Sequence, residues 1–319
     1  MNIFIKLKKA IIKKYINLNF DQIEYKKKKF IISNKKKIKY YIIASSKKRG
    51  FFSLVLFVLN HIKFAKKKSL IPIIDMQNYK TIYNENKIFL NTKNAWEYYF
   101  KKRNKLDLNK IYRKKNYVIS NDENPYTKNN KFNGLLKNTY KKEIKINSDI
   151  KKKILFYKKK FQLVKDNKIL GVHFRGTDMK ISPNHPTPPF KSQILEKIKY
   201  SQKKFKTTKI FLVTEDLDNF IFMKKNFGNN LLTINNFRSN KTKVFHLNIR
   251  KNHRYKMGQE ALINSILLSY CKVVVSSQTG ISDFAKFVND KLIMIKINNG
   301  FNSPRLFPSF FKWKIKFLK

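Results

Sequence analysis

The sequence predicts an α/β protein built from two parallel-sheet domains, and three observations lead to this fold class. Apolar, strand-like runs alternate with helix-length segments, which is typical of parallel sheets covered by helices. Three of the predicted strands are followed directly by clusters of polar residues. The length of 319 residues suits two domains of about 150 residues each. We therefore predict an N-terminal domain over 1–165 and a C-terminal domain over 166–319.

The N-terminal half contains one clear strand–helix–strand unit followed, further along, by a helix. Its predicted elements are strands at 38–44 and 70–74 and helices at 51–64 and roughly 150–165. Ser148 or Asp149 is suited to cap the last of these helices. The Lys- and Asn-rich stretch 102–147 has weak periodicity and predicts no definite element.

The C-terminal half alternates more regularly between strands and helices. The predicted strands are 169–174, 209–213, 231–234, 273–275 and 292–295, and the predicted helices are 193–204, 217–227, 259–270 and 281–288. A helix between each pair of successive strands, apart from short links, indicates a doubly wound sheet with both faces covered.

The charge is extreme, yet the composition argues for a folded core. Hydrophobic residues make up 42% and aromatic residues 14% of the chain, which excludes a disordered polyelectrolyte despite the formal net charge of +53. Only 8 of the 72 basic residues are Arg, whereas a phosphate-gripping surface favours the bidentate fork of Arg. We interpret the Lys excess as an AT-rich coding background on solvated surfaces and expect no specific nucleic acid. The alternative is an anionic partner such as a membrane surface or an acidic glycan.

Cellular location is also constrained by the sequence. The single cysteine, Cys271, excludes an internal disulfide, and the longest apolar run, 51–59, is too short to cross a bilayer. Residues 1–30 form a basic amphipathic segment whose lysines interrupt any signal-peptide core. This segment either lies on an anionic membrane or packs on its own domain. The sequence predicts a cytoplasmic protein with possible peripheral membrane contact.

The polar clusters of the C-terminal half predict a binding site. Residues 173–178, 214–216 and 276–280 each follow a predicted strand. In doubly wound sheets, ligands bind beyond the carboxyl ends of the strands. We therefore expect these three segments to meet at one edge of the sheet.

Each residue in these segments has a functional and a structural interpretation. Arg175, a scarce residue type here, suits a bidentate bond to a diphosphate or a structural pair with Asp178. Segment 276–280 offers an anion seat at a helix N-terminus or an ordinary cap. Asp216 either accepts hydrogen bonds from a base or sugar or caps a helix, and His173 either contacts a ligand or is packed.

Other candidates stand outside these clusters. Glu260 is an acid in the first turn of an apolar helix, where the helix dipole itself favours an acid. His185 lies in the Pro-rich loop 183–189, while His246 and His253 lack metal-ligand spacing. There is no phosphate-binding glycine loop, Ser–His–Asp signature or paired-aspartate motif in the sequence. We therefore expect no metal site.

The ordered clusters resemble the motifs of a known enzyme group. Segment 171–178 is similar to the first donor-binding motif of the α1,6-fucosyltransferase superfamily, 210–216 to the second and 258–285 to the third. That superfamily includes nodulation and core N-glycan fucosyltransferases, with protein O-fucosyltransferases more distant. Segments 71–75 and 94–100 are also similar to parts of bacterial members.

The resemblance implies a GT-B-like fold, in which two Rossmann-type domains face each other across a cleft. It also implies an inverting, metal-independent transfer of fucose from GDP-fucose to a saccharide, such as a surface polysaccharide or an oligosaccharide precursor. The resemblance implies that the β-phosphate is bound by Arg175, Ser277 and Gln278, with Ser276 adjacent. It places His173 and Asp216 at the guanine. Asp178 would brace the motif loop or approach the acceptor.

The chain departs from the pattern of this superfamily at several positions. Gly176 stands where the α1,6 enzymes have a second Arg, Glu215 where they have Asp, and Met179 precedes Lys180. Their catalytic glutamate has no clear counterpart, so the candidate bases are Asp178, ranked first on motif position, and Glu260.

Two further functions stay open at this point. One is a glycosyltransferase that uses another nucleotide sugar. The other is a non-catalytic basic α/β protein that binds anions or nucleic acid through a concentrated positive groove.

Overall fold

The computed structural model describes residues 38–302 except 46, 104–105, 127–130, 164–167, 181, 183–184 and 241–249. The strands are β1 Tyr40–Ile43, β2 Ile71–Ile74, β3 Tyr117–Ile119, β4 Ile169–His173, β5 Lys209–Val213, β6 Leu231–Leu232, β7 Val273–Ser276 and β8 Ile293–Lys296. The helices are α1 Phe51–Lys67, α2 Leu108–Lys114, α3 Gly134–Glu143, α4 Ser148–Lys160, α5 Lys191–Phe205, α6 Leu217–Phe227, α7 His253–Leu268 and α8 Gly280–Val288. The basic segment 1–30 and His246 lie outside the described residues.

The strands form two sheets, and every pairing in them is parallel. The first has the order β2-β1-β3 and the second the order β6-β5-β4-β7-β8. In the second sheet, His173 at the end of β4 is aligned with Val213 of β5 and Ser276 of β7. The predicted α/β class with two parallel sheets is confirmed. No helix in the described part of the chain is long and apolar enough to cross a membrane.

Helix α1 is buried on nearly every side. Its apolar run from Phe51 to Ile62 is buried except at Ser53, which is the pattern of a core helix and not of a surface helix. The basic residues Lys66 and Lys67 complete its last turn, where they complement the negative end of the helix dipole. The helix is therefore one turn longer than the apolar run that predicted it.

The stretch 102–147 contains three short elements that the sequence did not reveal. Asp107 caps α2 by accepting a hydrogen bond from the Asn109 amide, and Lys115 ends it in the left-handed region at φ 52°. Strand β3 is only three residues long and is fixed by pairing with β1. Such elements depend on distant partners and leave little periodicity in the sequence.

The start of α7 also differs from the prediction. The helix begins at His253 instead of 259. Gly258 lies inside it, where an added Cβ would lie 2.4 Å from the Tyr99 hydroxyl. Gly258 thus permits close packing between this turn and the N-terminal half.

One apolar core is shared by both sheets. It extends from α1 beneath the first sheet to Phe211 of β5 and to α8. The rings of Phe52 and Phe284 stack with centroids 4.5 Å apart, and Phe132 packs edge-on against both. A second cluster fills the other face of the five-stranded sheet against α5 and α6. The shared core brings the start of α8, at the edge of the larger sheet, against α1.

Candidate functional site

The loop after β4 is tightly folded around one buried carboxylate. A Cβ added at Gly176 would lie 2.1 Å from Asp216 Oδ2, so only glycine fits while Asp216 keeps this position. Thr177 follows with φ 34°, a conformation that is costly for a β-branched residue and is often found at functional sites. The 3₁₀ turn Thr177–Lys180 then carries Lys180 back to Asp216.

Both carboxylate oxygens of Asp216 accept hydrogen bonds from the protein. Its Oδ2 accepts from Lys180 Nζ at 2.8 Å and from the Thr177 amide at 3.2 Å, and its Oδ1 caps α6 by accepting from the Asn219 amide at 3.0 Å. Burial alone would raise the pKa of Asp216, but these hydrogen bonds outweigh it and hold the pKa below its ordinary value. With 1% of its side chain exposed, Asp216 organises the loop, and a direct contact with guanine stays a prediction.

Arg175 lies between two carboxylates at the mouth of this loop. Its Nη2 donates to both oxygens of Asp178 at 2.9 Å, and its Nε lies 3.7 Å from Glu215 Oε1. Burial would lower the pKa of Arg175, but the charges of Asp178 and Glu215 outweigh it and raise the pKa, so the guanidinium stays charged. Among the described residues, Nη1 has no hydrogen-bond partner and remains available to a ligand.

Glu215 is a second buried acid at this point. Its Oε1 accepts from the Gly176 amide and from Thr177 Oγ1, both at 3.0 Å. Burial and the nearby charge of Asp178 raise the pKa of Glu215 against the lowering effect of Arg175. The side chain therefore links the end of β5 to the loop after β4.

His173 is fully buried and neutral at the end of β4. Its Nδ1 is 2.9 Å from Thr279 Oγ1, the side chain that also caps α8. Burial and the charge of Arg175 lower the pKa of His173 to about 3. The other ring nitrogen, Nε2, has no partner among the described residues.

Two serines beside His173 also carry buried polar atoms without a partner. The hydroxyls of Ser276 and Ser277 are fully buried and have no hydrogen-bond partner within the described part of the chain. Most buried polar side-chain atoms are paired, so three unpaired ones at the ends of adjacent strands require an explanation. They stand where α8 begins, with its unsatisfied amides and the positive end of its dipole.

The structure does not bring every predicted site residue to this place. Glu260 is held by Arg250, with distances of 2.6 and 3.0 Å, and lines a groove of about 440 Å³ with Lys152 and Asn236. That groove is not lined by the polar residues at the end of β4 and before α8, which are His173, Arg175, Asp178, Ser276 and Ser277. Gln278 lines a different groove, of about 320 Å³, beside α3 and α8.

Tyr83 was not predicted from the sequence, and two residues that the sequence did single out, His185 and Thr279 of segment 276–280, make contacts here that it did not predict. Tyr83, from the N-terminal half, is buried close enough to Arg175 and Asp178 for their charges to act on its hydroxyl. His185 likewise senses the charges of Arg175 and Asp178, and burial lowers its pKa below the ordinary value. Thr279 fixes His173, and its place just before a helix was the signal that could have revealed it.

The fold and this edge together define an α/β protein with two parallel sheets and, at a helix N-terminus, a site where an ion-paired arginine lies near unpaired buried polar atoms. A helix N-terminus of this kind is suited to an anionic ligand. Within the described ranges, no group of three or more His, Cys, Asp or Glu side chains is arranged to hold a metal ion.

Solved structures with this fold are known. NodZ α-1,6-fucosyltransferase soaked with GDP-fucose is similar with a TM-score of 0.53 and 14% sequence identity, over 82% of this chain and 96% of that one. NodZ co-crystallised with GDP gives a TM-score of 0.54 with the same identity and coverage. Fucosyltransferase NodZ from Bradyrhizobium gives 0.52, also at 14% identity, over 82% of this chain and 99% of that one. The fold implied by the motif resemblance is thus confirmed.

No protein-family model matches the chain, and no curated protein matches it in sequence.

Proposed function

We propose that this protein is a glycosyltransferase that moves fucose from GDP-fucose to a saccharide acceptor, with inversion and without a metal ion. The observation that carries the proposal is the set of unpaired buried atoms at the start of α8, His173 Nε2, Ser276 Oγ and Ser277 Oγ, beside the charged Arg175. A diphosphate supplies the hydrogen-bonding oxygens and the negative charge that this place accommodates.

The energetics of these atoms support a ligand. Leaving a buried polar group unpaired costs about 1–3 kcal/mol, so several such groups lower the free energy of unfolding of the free protein. A bound diphosphate would pair them and would also meet Arg175 Nη1. The neutral His173 adds a polar atom without adding a buried charge.

The same geometry suits the chemistry of sugar transfer. As the bond between sugar and diphosphate breaks, negative charge grows on the leaving phosphate, and Arg175 and the α8 N-terminus stabilise it. Asp178 is ranked first as the base for the acceptor hydroxyl on its position in the motif, and its side chain, 30% exposed, can be reached by an acceptor. Glu260, bound by Arg250 in another groove, is the weaker candidate.

The choice of donor is supported by two likenesses. The motifs of the sequence resemble those of the α1,6-fucosyltransferase superfamily, and the similar NodZ structures were obtained with GDP-fucose and GDP. We further propose that the acceptor is a surface polysaccharide or an oligosaccharide precursor, that the protein works in the cytoplasm, and that the donor half begins near residue 166.

A nucleotide panel tests the donor. The full-length protein is melted alone and with GDP, UDP, CMP or ADP at equal concentration. We expect GDP to protect most, by about 2.7 kcal/mol at a concentration 100 times its dissociation constant. Equal or better protection by UDP would remove guanine recognition. If no nucleotide protects, the non-catalytic alternative gains and the proposal fails.

A further inference from the structure

We propose that the outward face of α4 is a docking surface for an anionic lipid bilayer. Two large apolar side chains, Leu155 and Phe156, are 62% and 59% exposed on this helix. They stand in the segment Ser148–Lys160, which carries six lysines and a single acid, Asp149. This inference does not rest on the proposed sugar transfer, although Lys152 and Phe156 also line the groove that contains Glu260.

The helix has one side for the core and another for solvent. Ile150 and Ile154 are buried against the protein. A repeat of 3.6 residues per turn places Lys152, Leu155, Phe156 and Lys159 on the opposite side, and all four are exposed. The apolar pair and the lysines therefore share one face.

The aromatic surface continues beyond the helix. Tyr270, 37% exposed, lies next to α4 with Lys158 Nζ 4.2 Å from its ring centre. Lys160 Nζ lies 5.9 Å from the Phe156 ring. Aromatic rings with lysines above them suit the boundary between lipid headgroups and acyl chains, where the ring meets hydrocarbon and the ammonium meets phosphate.

Charge complementarity selects an anionic bilayer among the possible partners. Lysines cover other faces of this chain too, so charge by itself does not distinguish α4. An adjacent pair of exposed large apolar residues would gain nothing from a phosphate backbone, but it inserts into a bilayer to which the lysines are attracted. Interfacial helices combine these two contributions.

The test uses the full-length protein and vesicles of phosphatidylcholine, with or without phosphatidylglycerol, in a co-sedimentation assay. Replacing the apolar pair by Leu155→Ser and Phe156→Ser keeps every lysine and the net charge. We expect tight binding only to the phosphatidylglycerol vesicles and a loss of about tenfold or more in the double variant. Ile221→Ser on α6 is the matched control, since Ile221 is 55% exposed, and it should bind like the wild type.

A spectroscopic variant reports on the depth of contact. In Phe156→Trp, we expect the emission of the new tryptophan to shift to shorter wavelength when phosphatidylglycerol vesicles are added. Unchanged binding of the double variant would overturn the proposal, because charge would then suffice. A tryptophan already blue-shifted without vesicles would also overturn it, since part of the chain itself would cover the face. Loss of DNA binding in the double variant, with vesicle binding intact, would point to nucleic acid instead.

Discussion

Arginine is rare in this chain, and most arginines of the described residues use the guanidinium in hydrogen bonds. The arginines that donate to a carboxylate or to a main-chain carbonyl in the described residues are Arg49, Arg103, Arg175, Arg238, Arg250 and Arg254. In a background that favours Lys, such bonds explain why Lys does not replace them. Arg175 differs from the others because it follows the end of β4 and acts on His173, whose buried Nε2 has no partner among the described residues.

Replacing Arg175 by Lys tests whether this fork acts in turnover. Arg175→Lys keeps the charge and loses the bidentate geometry. We expect turnover to fall on the order of 100- to 1000-fold, corresponding to about 2.7–4 kcal/mol of lost transition-state stabilisation. The measurement is kcat for sugar transfer, together with the melting temperature, which should stay close to that of the wild type.

Arg103→Lys is the control, because Arg103 pairs with Glu143 away from the site. Normal turnover in Arg175→Lys would show that the fork is not needed. An unfolded variant would instead assign Arg175 a structural role as the partner of Asp178.

At the scale of elements, the site depends on where β4, β5 and β7 end and where α8 begins. The strand ends place His173, Asp216 and Ser276 at one edge, and the cap of α8 by Thr279 fixes the histidine ring. Because α8 has nine residues, its first-turn amides carry a usable dipole toward this edge. The elements thus bring these side chains and the helix N-terminus together in the free protein.

Substitutions at Ser277 and Ser282, near the start of α8, distinguish the effect of a hydroxyl on ligand affinity from its effect on stability. Ser277→Ala removes a hydroxyl with no partner in the free protein, so its melting temperature should stay level or rise. Its affinity for GDP should fall by about 1.5–3 kcal/mol, the range for a hydrogen bond to a charged group. Thermal melting and calorimetric titration with GDP measure the two effects.

Ser282→Ala is the matched control, since Ser282 Oγ bonds the Ser277 and Thr279 carbonyls. This variant should lose stability by about 1 kcal/mol. A destabilised Ser277→Ala with unchanged GDP affinity would contradict the assignment.

The sequence predicted the elements better than the contacts. Helix α6 and strand β5 were predicted with the observed bounds because their apolar patterns are strong and local. The meeting of three polar segments at one sheet edge followed from strand direction alone. The position of Gly176 against Asp216 did not, because residues 40 positions apart leave no mark on local periodicity. The pairing of Glu260 with Arg250 was not predicted for the same reason, since it is a tertiary contact.

At the scale of the whole molecule, positive charge is abundant, but the candidate site uses only a few charged groups. The formal charge of +53 is spread over many lysines, whereas the site uses one guanidinium, one paired lysine and a helix terminus. Under the proposed function, the guanidinium and the helix terminus would stabilise the leaving diphosphate in place of a divalent cation.

We expect turnover to need no divalent metal. Sugar transfer measured after dialysis against EDTA should be nearly unchanged, because Arg175 and the α8 N-terminus stabilise the leaving group. Adding magnesium or manganese should raise the transfer rate no more than sodium chloride at the same ionic strength does. The sodium chloride sample controls for charge screening. Activity lost with EDTA and restored by magnesium would show that a carboxylate of this site holds a metal.

The aromatic contact between α1 and α8 limits how a part of this protein can be exchanged for the same part of another. Phe52 stacks on Phe284, and the start of α8 comes so near that a Cβ at Gly280 would lie 3.0 Å from the Phe52 Cβ. A chimaera that joined the first sheet and α1 to the larger sheet of another protein of this fold would bring unmatched side chains to that contact. A change on one side of this contact therefore has to be matched by a change on the other side.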